Sequence, residues 1–221
     1  MSLTRHSASE DGYVHDAQCL IYRGPDAEFE GHEICYGYNE DSLTIYDVTD
    51  KKAPVILSNT SYEGAAYTHQ GNVLDPMNQQ FLLLDDEYDE YDQVGPAIPG
   101  HPITYIWDIS SLRAPKQTGL YKSGAKGIDH NQYVANGFAY QSNYGTGFRV
   151  LDVRSIPDDP TGAGVKEVGF FGMKLHHYAL GVILLTLAQM FIPRMTTCLV
   201  EVPLTLLVHG QAMRCLRVVT S

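Results

Sequence analysis

The sequence predicts an all-β protein: a partial β-propeller of about three four-stranded blades, followed by an atypical apolar C-terminal tail. Three observations carry that expectation. Residues 42–48, 104–109 and 148–153 are each a short apolar strand closing on Asp and an aliphatic residue, at Asp47-Val48, Asp108-Ile109 and Asp152-Val153. Two of them continue alike, Asp47 reaching Pro54 and Asp108 reaching Pro115 in seven residues. A second marker recurs in the same order: His15-Asp16, His69-Gln70 and His130-Asn131. The Asp-to-Asp spacings are 61 and 44, and the His-to-His spacings 54 and 61. Units of roughly 40–60 residues cannot bury their own faces, so neighbours must stack, and four strands per unit is the pattern of propeller blades.

The first unit is residues 13–62. Strands are expected at 18–22, 33–37, 43–48 and 55–59. The loop 23–31 carries the turn signature Gly24-Pro25-Asp26, and residues 50–54 turn before the fourth strand. The second unit, 68–122, has strands at 71–74, 81–84, 103–109 and 117–121, with the turn Asp75-Pro-Met-Asn78 after the first. Between its second and third strands lies a long acidic, Gly/Pro-rich loop, 85–101. The third unit, 128–171, has strands at 132–134, 138–142, 147–153 and 165–171, with Asn136-Gly137 as a hairpin turn. Residues 1–12 are expected to be disordered.

Charge divides the chain at the end of the third unit. The net charge of −11 is the sum of −14 over residues 1–171 (25 acidic, 11 basic) and +3 over residues 172–221 (one acidic, four basic). The acidic part argues against nucleic acid or an anionic membrane surface as a partner, and favours cations, glycans or basic proteins. The tail 172–221 lacks Asp and contains an apolar run of 15 residues, 178–192. A spanning helix needs about 20, so no clear transmembrane segment is present. The tail reads either as a helix covering the last blade or, in preference, as non-native sequence from a frameshift or retained intron, because pattern and composition fail at one point. The opening Met-Ser-Leu-Thr-Arg-His has no apolar stretch of the signal-peptide kind. That reads as an intracellular protein or as a missing true start.

Several segments together resemble a known family: His15-Asp-Ala-Gln-Cys, Gly31-His-Glu-Ile-Cys, Leu43-Thr-Ile-Tyr-Asp-Val-Thr-Asp, Thr68-His-Gln-Gly, Asp85-Asp-Glu, Thr104-Tyr-Ile-Trp-Asp, Ile128-Asp-His-Asn and Ser142-Asn-Tyr. They look like the LVIVD-repeat, choice-of-anchor B family, whose fungal members carry a regulatory P-domain label. The likeness covers about residues 13–171. It implies a secreted or surface-attached β-propeller and no particular chemistry. The chain departs from the family in lacking the secretory N-terminus and in ending in the odd tail. Propellers close with about four to eight blades, so three leave open edges that invite self-association.

Three constellations are candidates for chemistry. His15, His69 and His130 each open a unit's first strand, which in a propeller lines the central channel. They thus converge on one mouth, where three imidazoles suit a divalent transition metal. Asp16, Gln70, Asp129 and Asn131 are candidate orienting partners. The alternative is that each His is a hydrogen-bonding wedge between blades. The acidic run Asp85, Asp86, Glu87 to residue 92 suits calcium as a cofactor, though no EF-hand spacing is present, and a solvated loop is the plainer reading.

Cys19 and Cys35 lie eight residues either side of residue 27, so a symmetric hairpin sets them opposite each other, within disulfide reach. Two reduced thiols in adjacent strands are the alternative. Asn59-Thr-Ser is a sequon relevant only to a secreted chain. Tyr46-Asp47 and Trp107-Asp108 read as structural, Asp capping the turn and the ring packing between sheets. No Gly-x-Ser-x-Gly, phosphate-binding glycine loop or His-Glu-x-x-His is present. The expected function is a non-enzymatic secreted or cell-surface propeller that binds a protein or glycan partner. A metal-dependent hydrolase or lyase using the three histidines is the alternative, and a calcium-stiffened scaffold a third reading.

Overall fold

The computed structural model describes residues 13–172 and the short strands Leu207–Val208 and Gln211–Ala212. The expectations for residues 1–12 and for the bulk of the tail, including Cys198 and Cys215, lie outside the described residues.

Twelve strands form three four-stranded antiparallel sheets in strict chain order. The first blade is β1 (Asp16–Ile21), β2 (Glu33–Tyr38), β3 (Leu43–Asp47) and β4 (Val55–Thr60). The second is β5 (Thr68–Val73), β6 (Phe81–Asp86), β7 (Ile103–Asp108) and β8 (Lys116–Lys122). The third is β9 (Ile128–Ala135), β10 (Phe138–Tyr144), β11 (Gly147–Asp152) and β12 (Lys166–Phe171). The residues 207–208 pair with 211–212 in a separate two-stranded ladder. The described residues are thus nearly all β, in three propeller-like blades that do not close into a ring.

The repeated Asp is the turn device. Asp47, Asp108 and Asp152 each accept the backbone N–H two residues on, from Thr49, Ser110 and Arg154, at 2.9, 2.8 and 3.2 Å. Such Asx turns replace ladder bonds where the chain leaves the sheet. The third strand of every blade also shifts register against its fourth at the residue pair just before that Asp: Ile45/Tyr46, Ile106/Trp107 and Val150/Leu151.

The core lies between blades. Tyr36, Leu43 and Ile45 of the first blade pack with Leu82, Leu84, Tyr105 and Trp107 of the second. Leu83 and Ile106, on the second blade's other face, pack with Ala139, Leu151 and Val153 of the third. This is why β6 is buried at every position and reads as a continuous apolar run, not an alternating one.

The first strands of the blades lie side by side, β5 between β1 and β9. Side chains stitch them together. Gln18 accepts the Val73 N–H at 2.8 Å, and Asn72 accepts the Val134 N–H at 3.3 Å.

Two expectations need correction. The first strands begin earlier than the apolar pattern suggests, so that His69 and His130 lie inside β5 and β9. Polar segments such as Thr-His-Gln-Gly-Asn become strands because a neighbouring blade covers them. The acidic run is not a solvated loop. Asp85 and Asp86 end β6 fully buried, and Asp89 and Glu90 are buried in a single helical turn, α1 (Asp89–Asp92).

Candidate metal centre

The three blade-leading histidines form a row. The ring centroids of His15 and His69 are 4.3 Å apart and those of His69 and His130 4.6 Å. The latter two are delivered by a local device. In β5–β6 pairing, Thr68 faces Asp86 and Gln70 faces Asp85, so His69 is the unpaired residue of a bulge. In β9–β10 pairing, Asp129 faces Asn143 and Asn131 faces Ser142, so His130 is the equivalent bulged residue. Bulges re-aim side chains, and they recur beside functional sites.

Glu87, one residue past β6, closes the site. Its Oε2 lies 3.7 Å from His69 Nε2 and its Oε1 3.7 Å from His130 Nε2. Donor atoms of His69, Glu87 and His130 all lie within 4.8 Å of one another. Ligands about 2.1 Å from a tetrahedral ion stand roughly 3.4 Å apart, so small side-chain movements complete the trio. Asp85 lies behind His69, its Oδ1 3.6 Å from Nδ1. That distance is a charge contact, too long for a hydrogen bond, and it suits a carboxylate that steadies a ligating ring.

The electrostatics divide the histidines. Burial opposes charge on His69, but the adjacent Asp85, aided by Glu87, holds its pKa above the ordinary value. His130 is lowered by burial and then by the neighbouring His69. His15 is lowered for the same two reasons.

The remaining sequence candidates fall into different roles. His15 is exposed, its ring lies tilted against that of His69, and its Nδ1 is 3.1 Å from the Tyr67 hydroxyl; it stands outside the donor trio. Asp86 is an anchor. It accepts from the Tyr62 hydroxyl and from the N–H groups of Ala66 and Tyr67, at 2.7, 2.9 and 2.7 Å. Asp16, Gln70 and Asn131 build a strut across all three blades. Gln70 donates to Asp16 at 2.9 Å and accepts from Asn131 at 3.3 Å and from the Gln132 N–H at 2.8 Å. The wedge reading thus describes the residue after each His. Asp129 is buried away from the histidines' open side, among other carboxylates.

Sequence reasoning missed the aromatic rim. Tyr67 stacks on the exposed Tyr88 at 4.8 Å, Tyr88 approaches Tyr91, and Tyr144 lies 4.7 Å from His130. Its only trace in the sequence is the run Tyr-Asp-Glu-Tyr within the acidic segment.

In the first blade, Cys19 and Cys35 face each other in the β1–β2 register and are joined by a disulfide, Cα–Cα 4.0 Å. Among the described residues no helix is long and apolar enough to cross a membrane, which leaves β-barrel spans unaddressed. Neither a protein-family model nor a curated protein matches the chain.

Proposed function

We propose that this chain is a metal-binding β-propeller segment that holds a divalent transition ion between His69, Glu87 and His130 and uses it to bind an external ligand without turnover. The carrying observation is the convergence of three donor atoms, from two blades, within 4.8 Å. Two imidazoles and one carboxylate suit zinc-like ions and leave a coordination position for a ligand atom. The exposed Tyr88 and Tyr91 beside it offer apolar faces with polar edges, as glycan- and peptide-binding rims do. The Cys19–Cys35 bridge supports a secreted or cell-surface setting, as does the LVIVD-repeat resemblance. The open blade edges favour contact with further blades or a second copy.

A second reading, a metal-dependent hydrolase or lyase, draws on Asp85 behind His69, since a supported His2Glu set with an open position also activates water. Zinc titration of the purified oxidised protein decides the common part. One ion per chain, lost in both His69→Ala and Glu87→Gln, is the expected result; less than about a tenth of an ion per folded chain overturns it. Ester, phosphoester or glycosidic turnover that disappears in Glu87→Gln overturns the non-enzymatic reading in favour of the second.

A further inference from the structure

The fourth strand is the outer edge of each blade and pairs only with the third. Bare edge strands invite pairing with another chain, and proteins blunt them with charge or cover. Two of the three outer edges are protected in this way. β8 begins with Lys116 and ends with Lys122, and its Leu120 N–H donates to the Thr161 carbonyl at 3.1 Å, so a loop of the third blade lies along it. β12 opens with Lys166-Glu167. β4 has neither device. Its sequence is Val55-Ile-Leu-Ser-Asn-Thr60, and residues 53–62 hold no charged side chain. Pro54 blunts only its start. Val55 is 52% exposed and Ile56 42%. An uncharged six-residue strand that opens on Val-Ile-Leu is the composition that aggregates through its edge.

What β4 does carry is the sequon Asn59-Thr60-Ser61, and none of the other six asparagines has Ser or Thr two residues on. Asn59 and Ser61 are both exposed. The Ser58 hydroxyl donates to the Leu112 carbonyl at 2.8 Å, toward the second blade. Side chains alternate along a strand, so Asn59 projects off the opposite face. Blades radiate from a common axis, so their fourth strands stand furthest apart and leave room there. Three strand spacings of about 4.8 Å, about 14 Å in all, separate β4 from β1 and keep Asn59 clear of the histidine row. The Cys19–Cys35 bridge in the same sheet is an independent sign of an oxidising compartment, the setting in which such asparagines are modified.

We propose that Asn59 carries an N-linked glycan that guards the bare outer edge of the first blade. Asn59 is modified only in a chain that enters the secretory pathway, so the site rests on the secreted reading above and not on zinc. In the transfer, Asn59 Nδ2 attacks the anomeric carbon of the first N-acetylglucosamine of a lipid diphosphate-linked oligosaccharide. The bond from Nδ2 to that carbon forms and the bond from the carbon to the diphosphate oxygen breaks. The lipid diphosphate leaves with the electron pair, and Nδ2 gives up one proton; nothing is oxidised or reduced. A bulky hydrated oligosaccharide beside Val55 and Ile56 then does for β4 what the lysines do for β8.

The first test is peptide mapping by mass spectrometry of the chain isolated from the cells that make it, with thiol labelling of Cys19 and Cys35 in the same sample. One glycan on Asn59 is expected, lost on peptide N-glycosidase treatment. An unmodified Asn59 with the bridge intact overturns this site alone. An unmodified Asn59 with both thiols free overturns the secreted reading with it. The guarding role is read on the full chain passed through a eukaryotic secretory pathway behind a cleavable leader, with retained and secreted material pooled. Ser61→Ala removes the sequon but keeps Asn59, and is expected to put about threefold more chain into large aggregates than the wild type. Asn59→Lys, unglycosylated but charged, is expected to return aggregation to about the wild-type level. Both positions are exposed, so the two variants keep the fold, checked by circular dichroism. Equal aggregation of wild type and Ser61→Ala overturns the guarding role, as does an Asn59→Lys variant that aggregates as much as Ser61→Ala.

Discussion

Removing the Cys19–Cys35 bridge is expected to cost the protein about 3 kcal/mol. The bridge joins β1 to β2 across a sequence separation of 16 residues. Closing a loop of that length in the unfolded chain removes roughly 10 cal/mol/K of entropy, or about 3 kcal/mol at 25 °C. A folded part of this size shifts its Tm by about 2–4 °C per kcal/mol, so the loss is expected at about 6–12 °C. The clean perturbation is the double variant Cys19→Ala with Cys35→Ala, compared with wild type before and after reduction by thermal unfolding followed by circular dichroism. The location sets a second expectation. The bridge pins the inner strand of the first blade, just after His15, whereas the proposed zinc ligands stand on the second and third blades. Zinc affinity should therefore change less than about threefold while stability falls. A Tm difference below about 2 °C between oxidised wild type and the double variant would refute the constraint argument. A zinc affinity that collapsed with reduction would refute the claim that His15 lies outside the donor set.

Further outcomes follow from the same geometry. Glu87→Gln is expected to weaken zinc more than about tenfold and His15→Ala less than about threefold, both read by competition with a chromogenic chelator. Gly119→Ala is expected to destabilise by about 1–3 kcal/mol in urea unfolding, because a Cβ there would meet the backbone of Pro160 and Thr161, to which Leu120 is hydrogen-bonded. With calcium and zinc chelated, stability should fall as pH rises. Burial pushes Glu90 from 4.5 up to about 7 and Asp85 from 3.8 up to about 6. Each therefore holds its proton more tightly folded than unfolded. Their contributions are complete below their ordinary values, roughly pH 4, and lost as pH rises through 6 to 7. A flat Tm in EGTA between pH 4 and pH 8 would contradict this.

The architecture was legible because it is written several times over. Each blade repeats the Asp that caps its third strand, and the equal spacing of Cys19 and Cys35 about residue 27 matches the pairing seen in β1–β2. The site was only half legible. The markers His69 and His130 could be read, but not the bulges that aim them, since a bulge is one extra residue in a pairing that no linear spacing displays. The acidic run failed for another reason. Six carboxylates in eight residues look solvated when counted along the chain. In space, Asp86 is buried because the N–H groups of Ala66, Tyr67, Tyr88 and Asp89 and the Tyr62 hydroxyl all point at it. Local charge density says nothing about donors supplied from twenty residues away.

The asymmetry of the histidine row bears on what the site is for. Three equivalent positions supply three histidines, yet a repeat alone yields three alike imidazoles, which here are differently placed. His69 is buried with Asp85 behind it, His130 is half-buried, and His15 is exposed with one nitrogen turned to Tyr67. The third donor, Glu87, comes from the end of β6 in the second blade. Repetition therefore builds the row, and one blade's departure from the repeat completes the donor set. An ion held by His69, Glu87 and His130 would lie toward the second and third blades, leaving His15, Tyr67 and Tyr88 along the rim. A ligand reaching the ion passes groups that can donate, accept and stack, which suits capture of a polar molecule with an apolar face. An activated water would need the same open coordination position that a captured ligand atom would fill, so binding and hydrolysis compete for one place on the ion. Turnover in the wild type that disappears in Glu87→Gln is therefore the observation that separates the two readings.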